Sequence, residues 1–161
     1  MSTYHTSVLV EEVIDGLSIK PGKRYIDATF GGGGHTKRIL DLGGIVLGID
    51  ADSDAVTRVE NHLNLTVVKG NFRNIREIAH LNGFNTVSGI LLDLGVSSYQ
   101  FDTPEKGFSY RFLESPLDMR LDQTQGITVA EYIKSAPEEE LYEIFTKFGE
   151  EERARAIAHA L

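Results

Sequence analysis

The sequence contains no cysteine, which excludes disulfides, thiolate metal sites and cysteine nucleophiles. That absence fits a reducing compartment. No apolar run approaches the roughly 20 residues needed to span a bilayer as a helix, and Met1-Ser2-Thr3-Tyr4-His5 lacks the basic-then-apolar shape of a secretory signal. A soluble, cytoplasmic protein with no membrane role is therefore expected. Excess positive charge is also lacking: 16 Lys and Arg against 24 Asp and Glu leave a net charge of −8. This balance argues against a broadly basic surface that coats nucleic acid, and leaves room only for a local basic patch. No internal repeat or low-complexity segment is present, and 161 residues bury one core, with or without a small appendage.

The stretch from Tyr25 to Asp50 organises what is there. An apolar strand over residues 25–30 runs into Gly31-Gly32-Gly33-Gly34-His35, a helix follows over 36–42, and Gly43-Gly44 leads to a second strand, 45–49, that ends on Asp50. A glycine turn between strand and helix lets the backbone approach a ligand closely, and an acid about 20 residues past the first glycine sits where a ribose diol is held. No Lys-Ser or Lys-Thr follows the glycines, so a phosphate-clamping loop is disfavoured. An NAD site is disfavoured too, because Thr36 stands where the third, packing glycine belongs. Asp27, Gly31 and Gly33 suit instead the Asp-x-x-x-Gly-x-Gly turn used for S-adenosyl-L-methionine.

Before this stretch, Leu9, Val13, Ile14 and Leu17 recur at helical spacing, with Ser7 as the cap. After it come a helix with acids in its first turn, running to about His62, a strand over 65–69 closed by Gly70-Asn71-Phe72, and a helix over 75–81. The nearly continuous apolar run 87–93 reads as a strand buried on both faces and ends on Asp93. Strands alternating with helices imply an α/β protein with a parallel, doubly wound sheet, whose ligands lie beyond the carboxyl ends of the strands. Residues 100–122 show no period, and their aromatic and apolar content argues for a long ordered loop. Helices are expected over 128–134 and 137–148, the latter with an apolar stripe of Leu141, Ile144, Phe145 and Phe148, and again from about Glu150.

Several side chains carry chemistry with two readings each. His35 lines the polar end of a cofactor or caps its helix. Asp93, closing a buried strand, holds an adenine edge or amino group, or accepts a proton from an amine. Ser97 and Ser98 offer hydroxyls beside it or cap a turn. Arg111 and Arg120 clamp a phosphate, or pair with Asp102, Asp118 or Asp122. Phe101, Phe108 and Tyr110 stack a base, or form the core of their own loop.

Seven motifs occur in order: His5-Thr6-Ser7-Val8-Leu9, Gly31-Gly32-Gly33-Gly34-His35, Gly70-Asn71-Phe72, Leu92-Asp93-Leu94-Gly95-Val96-Ser97-Ser98, Gly107-Phe108-Ser109, Pro116-Leu117-Asp118-Met119-Arg120 and Gly149-Glu150-Glu151. Through them essentially the whole chain resembles the bacterial ribosomal RNA small-subunit methyltransferase H family, also called MraW. The resemblance implies a Rossmann-like class I methyltransferase sheet, first strands only, over residues 1–100, and a loop with a partial helical insertion for substrate recognition over 101–161. It also implies methyl transfer from S-adenosyl-L-methionine to N4 of one cytidine in the 16S rRNA of the small ribosomal subunit. By match of motif, cofactor contacts fall on Gly33, Gly34, His35, Asp50, Phe72, Asp93 and Gln100. Asp93, Ser97 and Ser98 are then the candidates for the reacting amine, and Phe108, Arg111 and Arg120 for the RNA.

Two departures stand out. Tyr99 occupies a position where the family usually has proline, which is expected to loosen the turn before Gln100. Members of the family are also about twice as long, so the expected sheet lacks strands and exposes an apolar edge, through which two copies pair or exchange strands or which leaves the chain poorly soluble. The alternative reading is a cofactor-binding or RNA-contacting fragment without turnover.

Overall fold

A computed structural model describes residues 7–59 and 61–161. The chain divides into two compact units, Met1–Tyr99 and Gln100–Leu161.

In the first unit β1 (Arg24–Asp27), β2 (Ile45–Asp50), β3 (Leu65–Lys69) and β4 (Gly89–Leu91) form one parallel sheet in the order β3-β2-β1-β4. Alternate residues of adjacent strands point to opposite faces, so each central strand feeds two cores. Ile26, Leu47 and Ile49 pack on one face with Ala28, Ala79 of α4 (Ile75–Leu81) and Phe84. Tyr25 and Val46 pack on the other with Ile14 of α1 (Val10–Leu17) and Ile39 of α2 (Gly34–Asp41). Helices on both faces are what a parallel sheet requires.

The boundaries differ from the sequence expectation for local reasons. α1 starts at Val10, with Leu9 left-handed (φ 53°) at its N-cap and no side-chain cap. Leu9 is thus exposed rather than part of the stripe, Ser7 is not the cap, and His5 lies outside the described residues. β1 stops at Asp27 because the chain turns, yet the Ala28 and Phe30 amides still donate to Leu91 and Ile49 on either side. α3 (Ser53–Thr57) ends at Arg58, short of His62.

The largest correction concerns β4. It was expected to be buried on both faces, but only three residues join the ladder, and Ile90 and Leu92 are 45% and 49% exposed. The reason is position: β4 pairs only with β1 among the described residues and is a sheet edge. Among the described residues no helix is long and apolar enough to cross a membrane.

In the second unit the aperiodic loop is ordered chiefly by backbone and ionic ties. A short helical turn at Pro104–Lys106 ends in Gly107 (φ 71°), and the Met119 amide returns to the Lys106 carbonyl at 2.9 Å. Asp118 and Leu117 carbonyls then accept from Val129 and Ala130 at the start of α6 (Val129–Ser135), fixing the loop to the helix. Thr128 and Glu131 form a reciprocal capping box there, and the Thr128 hydrogen bonds hold the Glu131 carboxyl below its ordinary range. α7 (Glu138–Lys147) packs on α8 (Ala154–Ala160) through Leu141, Ala154 and Ala158, whereas Phe148, expected in the stripe, is 82% exposed beyond the helix end. α8 begins at Ala154 rather than Glu150, because Glu150 turns left-handed (φ 49°).

Candidate functional site

In the first unit the glycine turn after β1, Asp50 at the end of β2, Phe72 after β3 and Asp93 after β4 all lie at the carboxyl end of one sheet. The order β3-β2-β1-β4 places β1, with its glycine turn, between the two acid-bearing strands. In doubly wound sheets ligands lie beyond the carboxyl ends of the strands, where the strand order reverses, here between β1 and β4.

The turn itself is shaped from beneath. Gly31 and Gly33 take left-handed conformations (φ 52° and 73°). The buried Phe30 ring fills the space a Cβ would take at Gly33 (2.9 Å) and at Gly48 of β2 (2.5 Å). Beside Gly31 the space is open among the described residues: a Cβ there would meet only the Thr29 carbonyl, at 3.8 Å. Ser7 Oγ lies 2.1 Å from where a Gly34 Cβ would be, so the segment before α1 covers the start of α2.

Two acids, Asp27 and Asp50, bond the residues at and beside the turn. Asp27 is 1% exposed, and its carboxylate accepts from Thr36 Oγ1 (2.7 Å) and the Thr29 amide (3.3 Å). Burial pushes its carboxyl above the ordinary range, against the opposing effect of these bonds. Thr36, which removed the packing glycine from the sequence pattern, thus has a positive role. Asp50 Oδ2 accepts from the Gly31 amide at 2.7 Å, joining the end of β2 to the glycine turn. Asp50 Oδ1 accepts from the Asp52 amide (2.8 Å), and Asp52 Oδ1 from the Asp54 amide (3.0 Å), which caps α3. Each is an acid bonding its own backbone two residues on. The alternation Asp50, Asp52, Asp54 was visible in the sequence and would have shown it.

Asp93 is tied by its backbone: its amide donates to Thr29 Oγ1 at 2.7 Å. Thr29 carries no motif signal, so sequence reasoning missed it. His35 is buried, and its Nε2 donates to the Val8 carbonyl at 3.0 Å, which leaves Nδ1 facing Asp93 Oδ2 at 4.0 Å. Ser97 is half-buried, and Ser98 is exposed as the first residue of α5 (Ser98–Asp102). Phe72 is partly exposed at the start of a short helical turn capped by Asn71.

The remaining candidates belong to the second unit. Gln100 is buried there, and Phe108 is half-buried. Arg111 pairs with Asp102 (2.5 Å) and bonds Ser109 Oγ. Arg120 grips Asp118 through two bonds, Nε to Oδ1 at 2.7 Å and Nη2 to Oδ2 at 2.9 Å, and donates from Nη1 to the Gly126 carbonyl. The Arg120 bond holds the buried Asp118 carboxyl below its ordinary range. Both arginines thus make the pairings named as their alternatives. Tyr110 is 91% exposed. Among the described residues no group of three or more His, Asp or Glu is placed to hold a metal ion.

A parallel sheet in this order, with a buried acid and glycine turn after β1 and an acid closing β2, is a Rossmann-like domain of the methyltransferase kind. Comparison with known proteins makes this specific. The chain belongs to the MraW methylase family, whose model matches residues 2–161. It is similar to the ribosomal RNA small subunit methyltransferases H of Cytophaga hutchinsonii (44% identical, 98% of this chain and 54% of that protein) and Carboxydothermus hydrogenoformans (44%, 100% and 53%). It is also similar to that of Bacteroides fragilis (42%, 99% and 53%). The chain spans about half the length of these relatives.

Proposed function

We propose that the first unit binds S-adenosyl-L-methionine, and that the protein acts in the cytoplasm as a methyltransferase on N4 of a cytidine in 16S rRNA. The observation that carries the cofactor is the chemistry of the crevice wall. Asp50, closing β2, and Asp93, just past β4, are acceptors only, and they suit a ligand with a diol, an amine and a positive sulfur. A pyrophosphate would meet these acids unfavourably. The open space beside Gly31 lets a ligand lie against backbone. The RNA substrate is supported by the names of the relatives.

In this reading Gly33, Gly34, His35, Asp50 and Phe72 of the first unit hold the nucleoside. The cofactor supplies a methyl group activated by sulfonium, whose leaving group is a neutral thioether. The protein therefore contributes mainly position and exclusion of water. Asp93, with Ser97 and Ser98 beside it, holds the cytosine amine and takes its proton as the nitrogen–carbon bond completes. Thr29, through the Asp93 amide, sets where that carboxylate starts. Phe108, Arg111 and Arg120 contact the RNA, the two arginines exchanging their acid partners for phosphate.

Calorimetry with S-adenosylhomocysteine tests the cofactor. This chain is expected to bind it and to ignore NAD, and Asp50→Ala is expected to weaken binding ~10-fold or more, as loss of charge-assisted hydrogen bonds does. Binding of NAD alone sinks the reading. A methyl-transfer assay on 30S particles separates turnover from the alternative of a binding fragment, which would show affinity without transfer.

We also propose that two copies pair through β4. The edge is unpaired among the described residues and presents Ile90, Leu92 and Leu94. Antiparallel β4–β4 pairing is self-complementary under a two-fold axis. Sedimentation is expected to give a dimer that dissociates when Ile90 is changed to Lys; a monomer at all concentrations contradicts it.

A further inference from the structure

Tyr99 was expected to loosen its turn, and the structure instead ties it down. The Arg58 guanidinium lies 4.2 Å from the Tyr99 ring centroid, and its Nη2 donates to the phenol oxygen at 2.8 Å. The phenol donates in turn to Asp54 Oδ2 at 3.2 Å. Asp54 and Arg58 belong to α3 and its end, directly after β2, and α3 is joined to Asp50 through the Asp52 turn. Tyr99 lies after β4, next to Ser97 and Ser98 and six residues past Asp93. β1 lies between β2 and β4, so this strap links the two walls on either side of the strand that carries the glycine turn.

We propose that Tyr99 is a positioning residue for the methyl-donor crevice, holding the Asp50 and Asp93 connections at a set separation through Arg58 and Asp54. The proposal rests on the cofactor reading given above. A proline stiffens a turn covalently by fixing φ, whereas the tyrosine reaches across to the opposite wall and fixes the gap itself. The stacked guanidinium and two hydrogen bonds are each modest at a partly exposed site. Their effect is on the ligand, because a wider or more mobile gap must be closed each time the nucleoside is held.

The test uses the 161-residue chain with S-adenosylhomocysteine, by calorimetry and stopped-flow displacement. Tyr99→Phe keeps the ring and removes both hydroxyl bonds. It is expected to raise Kd roughly three- to tenfold, the size of one or two net hydrogen bonds, mainly through faster release. The ligand-free thermal midpoint is expected to stay within ~2 °C. Arg58→Gln is expected to do the same, and the double variant to lose no more than either single one, since both break one strap. Unchanged affinity and release in both variants, with the unaltered chain binding, overturn the strap and leave the cofactor reading standing. A loss that merely tracks a fall in the ligand-free midpoint, or losses that simply add, also overturn it. If the unaltered chain does not bind the ligand, both readings fall together.

Discussion

Asp93→Asn, made in a protein of full family length, is expected to lower the rate of methyl transfer by ~10²-fold or more, the range general-base removal covers. Affinity for S-adenosylhomocysteine should change far less. The substitution is chosen because it keeps size and leaves the backbone intact. The Asp93 amide still reaches Thr29 Oγ1, and the side-chain oxygen still accepts a hydrogen bond. What is lost is the negative charge and the ability to take a proton from an amine whose nitrogen becomes cationic as the methyl arrives. Single-turnover rates and ligand affinity, measured side by side, separate the two roles the residue was given. A fall in rate at constant affinity assigns the proton, and a fall in affinity at constant rate assigns the cofactor's amino group. Unchanged turnover would leave proton removal to solvent and sink the base.

The second large effect is on stability. Gly107→Ala is expected to destabilise the second unit by ~2–4 kcal/mol, adding the penalty of a left-handed alanine to that of forcing an atom into packed backbone. A Cβ there would stand 2.3 Å from the Pro116 carbonyl oxygen and 2.6 Å from the Asp118 nitrogen, and backbone atoms cannot swing aside. Gly126 supplies the control: it has the same φ of 71°, and among the described residues nothing lies within 4 Å of its Cβ position. Gly126→Ala should therefore show the conformational part alone, ~1 kcal/mol. The difference between the two midpoints in urea isolates the clash. Amide exchange at Met119, whose bond to Lys106 closes the same loop, should accelerate in the first variant only. Equal midpoints would mean that the loop relaxes around the added methyl.

The parallel sheet and its acid-bearing carboxyl ends were legible because Ile26, Leu47 and Ile49, buried on a two-faced sheet, leave an apolar run punctuated by glycine. The edge position of β4 was not legible, since an apolar run reads the same whether or not a neighbour pairs with it. Position along the chain revealed Asp50 and Asp93, but not what sets them. Thr29 acts through a backbone amide 64 residues away, and Arg58 meets Tyr99 across 41 residues. Local pattern cannot carry separations of that kind. The reverse held in the loop after Gly107, where Arg120 and Asp118 stand two residues apart, close enough for an acid pairing to be one of the two readings open to the arginine.

The Phe30 ring has a consequence for how this turn changes over time. It occupies the room of two absent side chains, at Gly33 in the turn and at Gly48 in the neighbouring strand. At position 48 a side chain therefore fits only if the ring at 30 gives way, whereas at 33 the left-handed backbone adds its own penalty to the clash. The shape of the glycine turn is set from beneath, by the aromatic ring of the residue just before it.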